Sequence, residues 1–221
     1  SVPKKTAIHG KAYHEETKAT SSQATAKHGH YLVVLTLEET DYVCNYIENG
    51  GDREEFLEKF AGSYSDGFDP DQHLRAVGVA NQTTMMRGET EEVQRRIKAA
   101  IERRYGTVKI DEHFRFFDTI CGATQERQDA LGVLLQKPMD LLLVIGGYNS
   151  SNTSHLAEMG ESVLPTYFIK NAAEMADASL ILHWNQHKNE VMETRNWLPD
   201  GPLTVGVTAG ASCPNNLIED V

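Results

Sequence analysis

Five stretches of this chain gather side chains able to bind or move protons behind runs that read as strands. In His14-Glu15-Glu16, an imidazole and a carboxyl stand two residues apart. A histidine beside a phosphate can donate a charged hydrogen bond, and a neighbouring carboxyl can carry a proton. On an extended backbone the two side chains would share one side; the same residues equally read as the acidic first turn of a helix. Gln82 and Thr83, behind the apolar run 76–80, could orient such a carboxyl by hydrogen bonding, with a helix cap as the plain alternative. Ser150, Ser151 and Asn152 follow the fully apolar run Leu141 to Ile145 and a Gly146-Gly147 turn. Two hydroxyls and an amide exceed what one N-cap needs, so this loop reads as an anion site at a helix start. Thr208-Ala209-Gly210-Ala211-Ser212 repeats the logic, with Ser212 at the edge of another helix start.

Three cysteines, Cys44, Cys121 and Cys213, are too few and too widely spaced for a disulfide framework and fit a reducing compartment. No CxxC and no zinc-type spacing of Cys and His occurs, so the chain by itself holds no complete metal site. Cys121, before Gly122-Ala123-Thr124, reads either as a small buried hydrophobe or as a ligand at a strand end. Cys44 reads as the core side of an amphipathic helix, and nothing around Cys213 activates its thiol.

The elements that must position these groups alternate. Strands are expected at 6–8, 31–35, 76–80, 114–120, 141–145, 166–169, 179–182 and 203–207. Helices are expected at 37–47, 54–60, 89–105 and 129–135 and from Thr153. Phe68-Asp69-Pro70-Asp71 reads as a turn. The pattern predicts an α/β fold with mainly parallel sheets, divided into two similar domains at 1–113 and 114–221. In open sheets of this kind ligands sit outside the carboxyl ends of the strands, where the five polar loops could converge. The chain has 221 residues, 40% of them hydrophobic, and a formal net charge of −11, which excludes the basic face of a nucleic-acid binder. Arg95, Arg96, Lys98, Arg103 and Arg104 alternate with Glu91, Glu92 and Glu102, the pattern of a solvated helix surface. No apolar run suits membrane insertion and no secretory leader is visible; a first residue Ser1 instead of Met suggests a fragment or a processed chain.

Several motifs, taken together, carry a resemblance. They are Ile8-His9-Gly10-Lys11, His14-Glu15-Glu16-Thr17, Ala80-Asn81-Gln82-Thr83-Thr84-Met85, Arg87-Gly88-Glu89-Thr90-Glu91, Thr119-Ile120-Cys121, Ala123-Thr124-Gln125-Glu126-Arg127-Gln128-Asp129-Ala130, Asn149-Ser150-Ser151-Asn152-Thr153 and Gly206-Val207-Thr208-Ala209-Gly210-Ala211-Ser212. In order and spacing they resemble the iron–sulfur 4-hydroxy-3-methylbut-2-enyl diphosphate reductases of the non-mevalonate isoprenoid pathway. The segment from Asn49 to His73 resembles the insert of the longer form found in oxygenic phototrophs, whereas 160–196 departs from the pattern.

The resemblance implies three pseudo-threefold α/β domains around a [4Fe–4S] cluster, of which this chain would hold the second and third. Cys121 would be one of three cluster cysteines, the other two lying upstream. Ser150, Ser151, Asn152 and Ser212 would bind the diphosphate and His14 would close on it. Glu16 would be the proton donor, with Thr83 bonded to it or to the substrate hydroxyl. The implied reaction is a two-electron reductive dehydroxylation to isopentenyl and dimethylallyl diphosphate, with reduced ferredoxin or a similar donor, in the plastid stroma or a bacterial cytoplasm. Two other readings stay open: a non-catalytic diphosphate-binding remnant, and a metal-free enzyme like a phosphosugar isomerase with Glu16 as base.

Overall fold

A computed structural model describes residues 5–26, 28–117 and 119–221; Ser1, and Asp118 within the expected 114–120 strand, lie outside the described residues. The chain divides into two compact units, Ser1–Ile120 and Cys121–Val221.

The first unit runs β1 (Lys5–His9), α1 (Glu15–Thr25), β2 (His30–Val34), α2 (Leu37–Asn49), α3 (Arg53–Lys59), α4 (Pro70–His73), β3 (Val77–Asn81), α5 (Arg87–Tyr105), α6 (Ile110–His113) and β4 (Phe114–Phe116). Its strands form one parallel sheet in the order β2-β1-β3-β4. Three of the helix starts carry a capping side chain suited to the role. Thr36 caps α2 by accepting from the Glu39 N–H at 3.2 Å, Asp52 caps α3, and Asp69 caps α4, which occupies what the sequence suggests is a plain turn. Gly50, at φ 73°, ends α2 in a conformation that favours glycine.

The insert packs into the core of this unit. Phe56 is fully buried, with its ring 4.7 Å from that of Tyr46 and 4.8 Å from that of Phe60, and Phe68 is buried beside them. On the outer side, α5 meets α2 through Arg96 to Asp41 and Arg103 to Glu48. Hydrogen bonds from Arg95 and Arg96 hold the Glu92 carboxyl down to about 2, as befits the interleaved, solvated charge surface.

The second unit runs α7 (Gly122–Leu134), β5 (Leu141–Ile145), α8 (Ser151–Glu161), β6 (Thr166–Ile169), β7 (Met175–Asp177), β8 (Leu180–Asn185), β9 (Glu190–Arg195), β10 (Val205–Ala209) and α9 (Asn215–Glu219). A parallel sheet, β10-β5-β6, is joined by an antiparallel one, β7-β8-β9, built by the stretch that departs from the resembled pattern. β5 reads as one apolar run because both its faces are buried. Leu141, Leu143 and Ile145 pack with Ile181 and Trp197, while Leu142 and Val144 pack with Leu156, Ala157 and Phe168.

Several boundaries differ from expectation. β4 stops at Phe116, so Cys121 is the N-cap of α7 and does not end a strand. β4 pairs with β3, which puts Phe114–Phe116 in the first unit. α7 begins at Gly122, where Gly122-Ala123 offers no apolar period to mark its first turn. The last strand is displaced to Val205–Ala209, and the expected 179–182 strand is the longer β8.

If the insert is part of the core, Phe56→Ala should lower the unfolding free energy by about 3–5 kcal/mol, as emptying a large buried aromatic site does. Urea denaturation checks this; a loss of less than ~1 kcal/mol would make the insert peripheral.

Candidate active site

In the first unit the chemistry gathers where β1 and β3 end level, His9 being opposite Asn81. His14 is the N-cap of α1, and its Nδ1 accepts from the Glu16 N–H at 3.3 Å. The backbone is extended only at His14 and turns helical at Glu15 and Glu16, where the cap bond satisfies an otherwise unpaired N–H. A neutral ring that accepts at Nδ1 carries its proton on Nε2, leaving that N–H to offer to an acceptor. Thr83 Oγ1 donates to Glu16 Oε2 at 2.7 Å, and Thr84 Oγ1 donates to the same oxygen at 3.1 Å.

Behind them Gln82 is fully buried. Its Oε1 accepts from the Lys11 N–H at 3.1 Å and the Thr17 hydroxyl at 3.2 Å, while its Nε2 donates to Thr84 Oγ1 at 2.9 Å. One amide therefore joins the two loops and orients Glu16 through Thr84. Gly10 permits this closeness: a Cβ there would lie 2.8 Å from both Gln82 Cβ and Thr17 Oγ1. Glu16 and Thr83 lie within hydrogen-bond distance, whereas Thr84 carries no signal in the sequence beyond the doubled threonine. Asn81, buried, is likewise unmarked; its carbonyl oxygen and Oδ1 share the single hydroxyl hydrogen of Thr119, each at 2.8 Å.

In the second unit β5 and β10 also end level, Ile145 opposite Ala209, and the Gly210 N–H donates to the Ile145 carbonyl at 3.0 Å. Ser150 is the N-cap of α8 and accepts from the Thr153 N–H at 3.3 Å. Asn152 is only 5% exposed, yet both of its side-chain polar atoms are buried without a partner in the structure. Ser151, the first residue of α8, is half-buried. Ser212 is exposed in the turn closed by the Cys213 N–H on the Gly210 carbonyl at 2.9 Å, three residues before α9.

The cysteines separate cleanly. Cys121 is exposed, and no side-chain capping bond engages its sulfur. Burial pushes the Cys44 thiol up to about 12, and burial also raises Cys213, packed at the edge of an apolar cluster. Among the described residues, no group of three His, Cys, Asp or Glu side chains is arranged to hold a metal ion, and no helix is long and apolar enough to cross a membrane.

The sequence profile of the LytB protein family matches residues 2–221. The 4-hydroxy-3-methylbut-2-enyl diphosphate reductase of a Cyanothece species is 52% identical over 216 residues, covering 97% of this chain and 52% of the relative. The protein of the same name from Thermosynechococcus vestitus is 52% identical over 215 residues, with the same coverage of 97% and 52%. The chain thus spans about half the length of the relatives it matches. A solved structure, the E-1-hydroxy-2-methyl-but-2-enyl-4-diphosphate reductase from Plasmodium falciparum, shares the fold with a TM-score of 0.59 at 17% identity, over 97% of this chain and 50% of that one. The chain belongs to the LytB protein family.

Proposed function

We propose that the complete protein reduces 4-hydroxy-3-methylbut-2-enyl diphosphate to isopentenyl and dimethylallyl diphosphate, the last step of the non-mevalonate isoprenoid pathway, and that these residues serve its diphosphate and proton chemistry. The names of the relatives support the reaction. The observation that carries the site is Asn152, whose amide is buried at a helix start with neither polar atom paired. Such a group costs roughly 1–3 kcal/mol unless something bonds to it, and a diphosphate oxygen accepting from Nδ2 would recover part of that.

The residues divide the work. Ser150, Ser151, Asn152 and Ser212 are proposed to bind the diphosphate by neutral donors at a helix start, where a negative charge is favoured. His14 is proposed to present its Nε2–H to an anionic oxygen. Thr83 and Thr84 both occupy Glu16 Oε2, so a proton that Glu16 delivers is held on Oε1. Thr83, its own hydrogen engaged, keeps lone pairs with which to accept from the substrate hydroxyl.

A [4Fe–4S] cluster would supply the electrons and a Lewis-acidic iron for the substrate oxygen. Cys121 suits one ligand position, being exposed at the positive end of a thirteen-residue helix where a thiolate's charge is favoured. Cys44 and Cys213 do not suit the others, which we assign to the portion of the protein that this chain does not span. Reduced ferredoxin or a similar protein is the proposed electron donor.

Anaerobic reconstitution of the complete protein with iron and sulfide, followed by an assay of substrate reduction, tests the function. Absence of both visible sulfur-to-iron absorption and turnover would refute it. Glu16→Gln should lower turnover by about 10²- to 10⁴-fold while substrate affinity changes little; undiminished turnover would remove Glu16 from the mechanism. In metal-free protein at pH 8, alkylation should reach Cys121 and spare Cys44 until unfolding, since a thiol raised to about 12 holds its proton there. Equal labelling of the two would contradict these assignments.

A further inference from the structure

We propose that Thr153 is a positioning residue that makes Ser150 an obligate donor, so that the Ser150 hydroxyl hydrogen is presented to an anionic oxygen of the ligand. The proposal rests on the diphosphate reading above and deepens it. A serine hydroxyl has one hydrogen and two lone pairs. Ser150 Oγ accepts from the Thr153 N–H at 3.3 Å and from the Thr153 hydroxyl at 2.9 Å. An ordinary N-cap accepts only from the backbone, leaving a lone pair free. Here both lone pairs are engaged, and donation is the one role left. Diphosphate oxygens only accept, so this saturation matches the polarity of the residue to that of the ligand.

Thr153 can impose this because it is held on every side. It is 1% exposed and sits between the glycines that follow β5 and β10. A Cβ at Gly146 would lie 2.7 Å from Thr153 Oγ1, and one at Gly210 would lie 2.0 Å from it. Any side chain at 210 would therefore displace the hydroxyl that saturates Ser150. Both glycines serve the same seat: they let two strand ends close on one threonine.

Titration calorimetry of the complete protein with inorganic pyrophosphate tests this, using Thr153→Val, Thr153→Ser, Ser150→Ala and the Ser150→Ala/Thr153→Val double variant. Loss of one bond to a group facing a charge should make Thr153→Val bind about 10-fold more weakly, while Thr153→Ser, which keeps the hydroxyl, stays within about 3-fold of the parent. In the Ser150→Ala background, Thr153→Val should change affinity by less than about 2-fold, because its effect passes through Ser150. A full Thr153→Val loss persisting in that background would mean a packing role and overturn the proposal. Unchanged affinity in Thr153→Val, with Ser150→Ala weakened, would overturn it as well and leave the diphosphate site standing. Should Thr153→Val fail to fold, Thr153→Ser decides: a loss as large as that of Ser150→Ala overturns the proposal. If Ser150→Ala and Asn152→Ala both bind pyrophosphate normally, the diphosphate reading itself falls and takes this one with it.

Discussion

Parallel pairing in level register is the constraint on which the rest of the structure depends. In a parallel sheet every carboxyl end lies on the same edge, and the helix that follows each strand starts there with unpaired N–H groups. His9 opposite Asn81 fixes the loop carrying His14 and Glu16 beside the loop carrying Thr83 and Thr84. Ile145 opposite Ala209 does the same for the loops carrying Ser150 to Asn152 and Ser212. A displacement of one residue in either register would exchange the side chains that face the two core layers and set the paired loops out of level. Sites built on such ends are as rigid as the sheets beneath them.

Two buried amides show how each edge is used. Gln82 is saturated: it accepts from Lys11 and Thr17 and donates to Thr84, which makes it a brace between loops. Asn152 is also buried, yet neither of its side-chain polar atoms has a partner in the structure. The contrast also answers the problem set by a chain with a net charge of −11. Repulsion of an anion at long range is screened by salt over about 10 Å, so short-range neutral donors at a helix start can still hold one. Of those donors Asn152 is the buried one, and burial strengthens the bond it can make.

Much of this was legible in residue order. The all-apolar β5 and the aromatic-bearing β6 fell where strand-like runs lie, α2 and α5 were marked by the glycines that stop them, α5 also by its terminal charges, and α3 by its apolar spacing. Residue type offered Thr83 as a group able to orient the Glu16 carboxyl, with a helix cap as the alternative. What was not legible depended on contacts distant in sequence. Gln82 and Thr17 are 65 residues apart, so no local pattern marks the brace. Thr153 reads as an ordinary helix residue until Gly146 and Gly210 are seen closing on it. The antiparallel β7-β8-β9 sheet alternates weakly because it is only partly buried, which left β7 and β9 without a signal. The start of α7 escaped because glycine and alanine carry no periodicity.

We propose that the β5 and β10 loops bind the diphosphate of an allylic substrate, which amide NMR of the complete protein during titration with 4-hydroxy-3-methylbut-2-enyl diphosphate can follow residue by residue. The N–H signals of Ser151, Asn152, Thr153 and Ser212, with the Asn152 side-chain amide, are expected to shift together and saturate at one ligand per protein. Saturable binding that left all of these unmoved would contradict it.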